Sequence, residues 1–97
     1  MAIDLKPNYL KIVKEILNKY IPECEVWVFG SRTRKDHHPY SDLDLLLQNK
    51  KPISLATLGH LSEEFAESDL PFTVDLIDWH RISDEFRKSI QKHRERL

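Results

Sequence analysis

Val28-Phe29-Gly30-Ser31-Arg32-Thr33-Arg34, followed after a polar stretch by Ser41-Asp42-Leu43-Asp44-Leu45, is the part of this chain that decides its fold. Asp42 and Asp44 stand at i and i+2. On a strand they share one face while Leu43 and Leu45 take the other. Two like charges held side by side raise each other's pKa unless a cation compensates them. A divalent metal is the natural compensator, and hard oxygen ligands favour Mg²⁺ or Mn²⁺. The pattern points first to phosphoryl or nucleotidyl transfer.

Outward from this stretch, the chain alternates helical and extended patterns. Tyr9, Leu10, Ile12, Val13, Ile16, Leu17 and Tyr20 recur at helical spacing, which predicts an amphipathic helix from Pro7 to Tyr20, started by Pro7 and stopped by Pro22. Glu25 to Phe29 reads as a central strand that Gly30 breaks, and Leu43 to Leu47 as the strand carrying the aspartates. A second helix is predicted from Ser54 to Glu67, with Ser54 as N-cap and Thr57 where a capping-box acid would stand. Phe72 to Ile77 reads as a third strand with Asp75 inside an apolar run. Residues 83–95 read as a last helix with Ser83 as its cap and Asp84 and Glu85 in its first turn. The order is α-β-α-β-α-β-α if residues 31–36 add a short helix.

Ninety-seven residues, 40% hydrophobic and 32% charged, fit one globular domain spanning 1–97 with a modest core. The formal charge of −1 argues against a generic nucleic-acid binder. Arg81, Arg87, Lys88, Lys92, Arg94 and Arg96 make the end of the chain basic, but Asp84, Glu85 and Glu95 interrupt them, and they read as a solvated helix face. No segment concentrates enough positive charge to track a primer backbone. There is no signal-peptide pattern and no apolar run of spanning length, so the expected setting is cytoplasmic, without a membrane. The single Cys24 excludes a disulfide framework and a cysteine-based zinc cluster, and reads as structural.

An aspartate within an apolar strand is costly unless paired or bound to metal. Beside the Asp42/Asp44 strand, Asp75 gives three carboxylates converging at one sheet edge, able to hold one or two divalent ions between an attacking oxygen and a triphosphate. Bland readings stand beside this one: Asp42 as a turn residue, Asp75 as a surface charge on an edge strand. Gly30-Ser31 lets the backbone approach a phosphate, with amide N–H groups and the serine hydroxyl as donors. It is neither a Walker A loop nor a dinucleotide fingerprint, because the chain has only Gly30 and Gly59. Arg32 is the candidate to neutralise triphosphate charge; Arg34 and Lys35 read equally well as a solvated turn. His37, His38, His60, His80 and His93 read as loop or isolated residues, and no Ser-His-Asp order stands out.

These motifs resemble the nucleotidyltransferases of the DNA polymerase beta type, and more narrowly their small stand-alone minimal nucleotidyltransferases. Val28-Phe29-Gly30-Ser31-Arg32-Thr33-Arg34 with Ser41-Asp42-Leu43-Asp44-Leu45 match the family's first signature, and Thr73-Val74-Asp75-Leu76-Ile77 its later acidic strand. The likeness runs from about residue 9 to residue 90. It implies an α/β (α+β) nucleotidyltransferase fold, a small mixed twisted sheet with helices packed mainly on one side. It also implies two Mg²⁺ ions, or Mn²⁺, on Asp42, Asp44 and Asp75, and a phosphate-binding Gly30, Ser31 and Arg32. The implied reaction transfers NMP, in the first place AMP from ATP, to a hydroxyl of a protein or small molecule, releasing pyrophosphate. Lys35 departs from the family pattern, which often has glycine there; the departure removes no proposed metal ligand. Larger relatives add a domain for acceptor and base, for which 97 residues leave no room. Minimal members are often paired with a small helical HEPN-domain protein in toxin–antitoxin-like modules, so a HEPN-like partner is expected, with a homo-oligomer as a further option. The competing expectation is a non-catalytic nucleotide-binding module that regulates or masks a partner.

Overall fold

Proline at the first turn starts helix α1 (Pro7–Tyr20) without a side-chain cap, since its missing N–H would have no intrahelical partner there. The computed structural model describes residues 5–30 and 42–97. Val13, Ile16 and Leu17 form the buried stripe of α1, and Lys19 in its last turn complements the negative end of the helix dipole. The Ile21 N–H closes onto Leu17 O at 2.8 Å and the Cys24 N–H onto Ile21 O at 3.1 Å, turning the chain into strand β1 (Glu25–Phe29).

Strand β1 lies antiparallel to β2 (Leu43–Gln48), with Val28 opposite Leu45 and Phe29 opposite Asp44. On β2, Leu43, Leu45 and Leu47 are fully buried among Val13, Leu17, Val26, Val28, Leu61 and Phe65, so this sheet face packs against α1 and α2. Alternation sends Trp27, Phe29, Asp44 and Leu46 to the opposite face.

Helix α2 (Leu55–Glu67) begins at the expected cap: Ser54 Oγ accepts from the Thr57 N–H at 3.1 Å. Thr57 does not supply a capping-box acid; its Oγ1 instead accepts the Ser54 hydroxyl at 2.8 Å. The helix returns the chain to β3 (Val74–Asp78), which pairs with β2 in parallel. The expected strand start at Phe72 is corrected. Phe72 is buried and sets its ring edge-on to Tyr9 at 5.9 Å, plugging the α1 side of the core before the strand begins at Val74. A 3₁₀ turn (Trp79–Arg81) and helix α3 (Asp84–Lys92) follow, the latter capped as expected by Ser83 Oγ on the Phe86 N–H.

The last helix does not run to residue 95. It stops at Lys92, and strand β4 (Arg94–Arg96) pairs antiparallel with β1, giving a four-stranded sheet in the order β3-β2-β1-β4. The alternation Arg-Glu-Arg-Leu suits an edge strand as well as a helix end. Here the unpaired backbone of β1 and the face of Trp27 win: the Arg94 guanidinium lies 3.9 Å from the Trp27 ring centre and Arg96 at 5.5 Å. Arg94 also donates to Gln48 Oε1 at 3.0 Å, and Arg96 to Glu25 Oε1 at 2.9 Å. Those two arginines are therefore sheet residues, not part of a solvated helix face. Helices α1 and α2 cover one face, while α3 meets the other through Phe86, whose ring packs edge-on against Phe29 at 6.2 Å. Among the described residues no helix is long and apolar enough to cross a membrane.

One buried acid escaped the sequence reading. Asp78, 4% exposed, accepts from the Ile53 N–H at 2.9 Å and the His80 N–H at 3.0 Å, and faces Arg81 Nε at 3.3 Å. Arg81 in turn donates to Ile53 O at 2.9 Å. This knot ties the end of β3 to the entry of α2. Asp78→Ala strands those donors, and we expect a loss of roughly 2–4 kcal/mol of stability, seen as a lower urea midpoint at unchanged slope.

Candidate active site

The open face of the sheet carries a row of side chains read straight off the register. Phe29 on β1 stands opposite Asp44 on β2, and Asp44 stands beside Asp75 on β3. Asp42 immediately precedes β2, two residues before Asp44, and is exposed. The sheet therefore brings Asp44 and Asp75 together and holds Asp42 next to them.

Asp44 is half-buried, and its carboxyl is pushed up to about 6. Burial is the largest cause; the charge of Asp75, a hydrogen bond with Asp75 that favours the protonated form, and the charge of Asp42 add to it. The cost argument for Asp75 needs correcting, however. Asp75 lies exposed on an edge strand, where water reaches its carboxylate and burial imposes no cost; its weight comes from its place beside Asp44. The desolvated aspartate of that strand is Asp78. Among the described residues, no three His, Cys, Asp or Glu side chains are gathered tightly enough to make a ready metal cage.

Gly30 bounds the site on the β1 side with φ of 77°, a left-handed conformation that disfavours any side chain. A Cβ there would collide with the Asp44 carboxylate. Glycine thus has a reason at this position apart from the expected phosphate: it makes room for an acid. Ser31 and Arg32, the other two candidate phosphate contacts, lie outside the described residues, as do His37, His38 and the short helix expected over 31–36.

The remaining candidates are placed away from this row. Cys24 is half-buried under the sheet end, donates to Glu25 O at 3.3 Å, and burial pushes its thiol up to about 11, so it is a structural and unreactive residue. His60 stacks on Tyr20, and the His80 ring meets Asn49 O at 2.7 Å.

A twisted mixed sheet with a glycine turn and a carboxylate row at its open face defines a class, and sequence comparison assigns the same one. Residues 11–97 match the family "Polymerase beta, Nucleotidyltransferase". The chain belongs to that family and is a nucleotidyltransferase of the transferase class. It is 44% identical over 90 residues to the "Probable protein adenylyltransferase MntA" of Haemophilus influenzae, covering 93% of this chain and 79% of that protein. Its fold matches a crystal structure of a toxin–antitoxin with AMP-PNP at a TM-score of 0.74, with 22% identity, covering 89% of this chain and 69% of the other. It also matches a rebuilt structure of a tri-AMPylated Shewanella oneidensis HEPN toxin in complex with an MNT antitoxin at a TM-score of 0.68, with 24% identity over 92% of this chain and 67% of the other. At those identities the structures show a shared fold.

The Asp44 shift has a definite sign. In the folded chain Asp44 keeps its proton to about pH 6, whereas unfolded it releases it near 3.8. Folding therefore binds protons between those values, and the stability this provides is present below about pH 4 and lost as pH rises through 6. In chelated buffer we expect Asp44→Asn to flatten that part of the melting profile. At pH 8 the variant should melt above the parent by about 1 kcal/mol equivalent, a half-exposed group being well screened. Gly30→Ala should cost about 1–2 kcal/mol from its backbone alone, with further loss from the collision with Asp44, measurable by thermal melting.

Proposed function

We propose that this chain, as a single nucleotidyltransferase domain over 1–97, transfers AMP from ATP to a hydroxyl of a HEPN-type protein partner and so acts as the antitoxin member of a two-protein module. The observation that carries the reading is the placement of Asp44 against Asp75 beside the Gly30 turn, with Asp42 two residues away. Support for the acceptor class comes from the similarity to MntA of Haemophilus influenzae, described as a protein adenylyltransferase, and to the MNT antitoxin in complex with an AMPylated HEPN toxin. A cytoplasmic setting fits a reaction that draws on ATP.

The donor set suits Mg²⁺. All three groups are hard carboxylates, and Asp44, raised first by burial and then by its acidic neighbours, stands where a divalent cation would favour the charged form. Asp42, Asp44 and Asp75 would hold it, and it would supply charge neutralisation at the phosphates and a lowered barrier at the α-phosphorus. The protein's own part is positional. Gly30, Ser31 and Arg32 seat the distal phosphates, with Gly30 keeping the backbone close. The acceptor hydroxyl enters on the β3 side, and the Asp75 carboxylate takes its proton. The oxygen bonds to the α-phosphorus as the bond to the bridging oxygen breaks and pyrophosphate leaves with its electron pair.

The test is incubation with α-labelled ATP, Mg²⁺ and a HEPN-type toxin. We expect covalent label on the toxin, reduced at least about 100-fold by Asp42→Asn, Asp44→Asn or Asp75→Asn with the fold intact. Label that survives all three substitutions would remove these residues from the chemistry. A stable complex that binds nucleotide yet transfers none of the four labelled NTPs would make the chain a nucleotide-binding module that masks its partner.

A further inference from the structure

Strand β3, which carries Asp75, is the last strand on its side of the sheet among the described residues. The Leu43 N–H donates to Thr73 O at 2.9 Å, and Leu43 pairs with Val74 in the parallel ladder. In such a ladder every second residue of β3 bonds to β2, so Thr73, Asp75 and Ile77 turn their backbone groups inward. Val74 and Leu76 turn theirs outward, to an edge on which no described strand lies. The five residues of β3 include neither the proline nor the lysine that commonly blocks such an edge. Side chains alternate as well: Phe72, Val74 and Leu76 join the core under α1 and α2, which leaves Thr73 and Asp75 on the open face.

At the end of β3 where Asp75 stands, the junction with α2 is not closed. Phe65, Ala66, Leu70 and Val74 help to line a cavity of about 400 Å³ there, room for one bulky apolar side chain. A strand added to the outer edge would run about 4.8 Å from β3. One of its side chains would rise beside Asp75 and continue the row Phe29, Asp44, Asp75. The residue next to it in sequence would point to the other face, beside Val74 and into the cavity. An in-line displacement keeps the attacking hydroxyl and the departing pyrophosphate on opposite sides of the α-phosphorus. With the distal phosphates on the Gly30 side, that line crosses the strands from β1 to β3 and leads out over this edge.

We propose that the outer edge of β3 docks the acceptor: an extended segment of the partner protein adds to the sheet as a further strand. The segment presents its hydroxyl residue beside Asp75 and sets an adjacent apolar side chain in the cavity between α2 and β3. The proposal deepens the nucleotidyl-transfer reading of this site and rests on it. Main-chain hydrogen bonds to Val74 and Leu76 supply affinity, and the cavity supplies choice among segments. The acceptor is then a polypeptide with an apolar residue directly beside the hydroxyl-bearing one.

Steady-state transfer from α-labelled ATP and Mg²⁺ to a HEPN-type toxin tests it on the parent chain, Ala66→Phe and Val74→Pro, alongside calorimetric titration with ATP. Ala66 is exposed, so phenylalanine there fills the cavity from its mouth without entering the core. Val74→Pro deletes an outward N–H at the first residue of the strand, where proline is tolerated, and leaves the ladder to β2 its donors. We expect each substitution to raise the KM for the toxin about 10-fold or more at unchanged kcat, with ATP affinity within about twofold of the parent. An unchanged KM in Ala66→Phe overturns the dock, whether or not Val74→Pro folds. So does an equal loss of ATP affinity, which would place the effect in the fold rather than at the edge. A parent chain that labels glycerol but not the toxin overturns the dock alone, whereas one that transfers label to neither overturns the nucleotidyl-transfer reading and the dock with it.

Discussion

The parity of strand β2 governs this molecule. Leu43, Leu45 and Leu47 are fully buried on one face, and Asp44 rises from the other. Burying three leucines contributes roughly 5–9 kcal/mol, whereas holding Asp44 half-buried and beside other carboxylates costs about 1 kcal/mol once solvent screening is counted. The apolar side wins by a wide margin. A slip of one residue would exchange the two faces, so the charge cluster persists because the core will not release the leucines. The register with β1 and β3 then follows, and with it the alignment of Phe29, Asp44 and Asp75.

Elements with strong periodicity were legible from the residues alone. The α1 stripe, the uniformly apolar β1, the Ser54 and Ser83 caps and the alternation of β2 each rest on local chemistry, and each stands where expected. What escaped depends on partners distant in sequence. Nothing in Arg94-Glu95-Arg96 says that Trp27, far away in the chain, offers a π face and an open strand edge. Nor does an apolar run reveal whether Phe72 is the first strand residue or a plug set against Tyr9.

The acids of β3 illustrate the same limit at the site. From the sequence Asp75 read as costly within an apolar run, with a surface charge on an edge strand as the bland alternative, and Asp78 lay just past the expected strand and drew no reading. Their surroundings are reversed: β3 is an edge strand that leaves Asp75 to water, while Asp78 lies beneath the turn that follows it. The expectation for Asp75 reached the right neighbourhood because register, not burial, brings it to Asp44.

Asp44 and Asp78 then separate two uses of a carboxylate in one small fold. Asp78 is the more buried, yet its oxygens meet the backbone N–H groups of Ile53 and His80 and the guanidinium of Arg81, all donors. Such a group is satisfied, and it stabilises the chain as it stands. Asp44 is less buried, but its acidic neighbours Asp42 and Asp75 carry like charge, and the Gly30 backbone is held in a left-handed turn against it. Acceptors facing acceptors must share a proton or recruit a cation, and a fold gains nothing from that arrangement by itself. Burial alone would rank Asp78 first as the functional acid. The sign of the neighbours reverses that order, and on that ground the crowded cluster, rather than the buried knot, is the one proposed for chemistry.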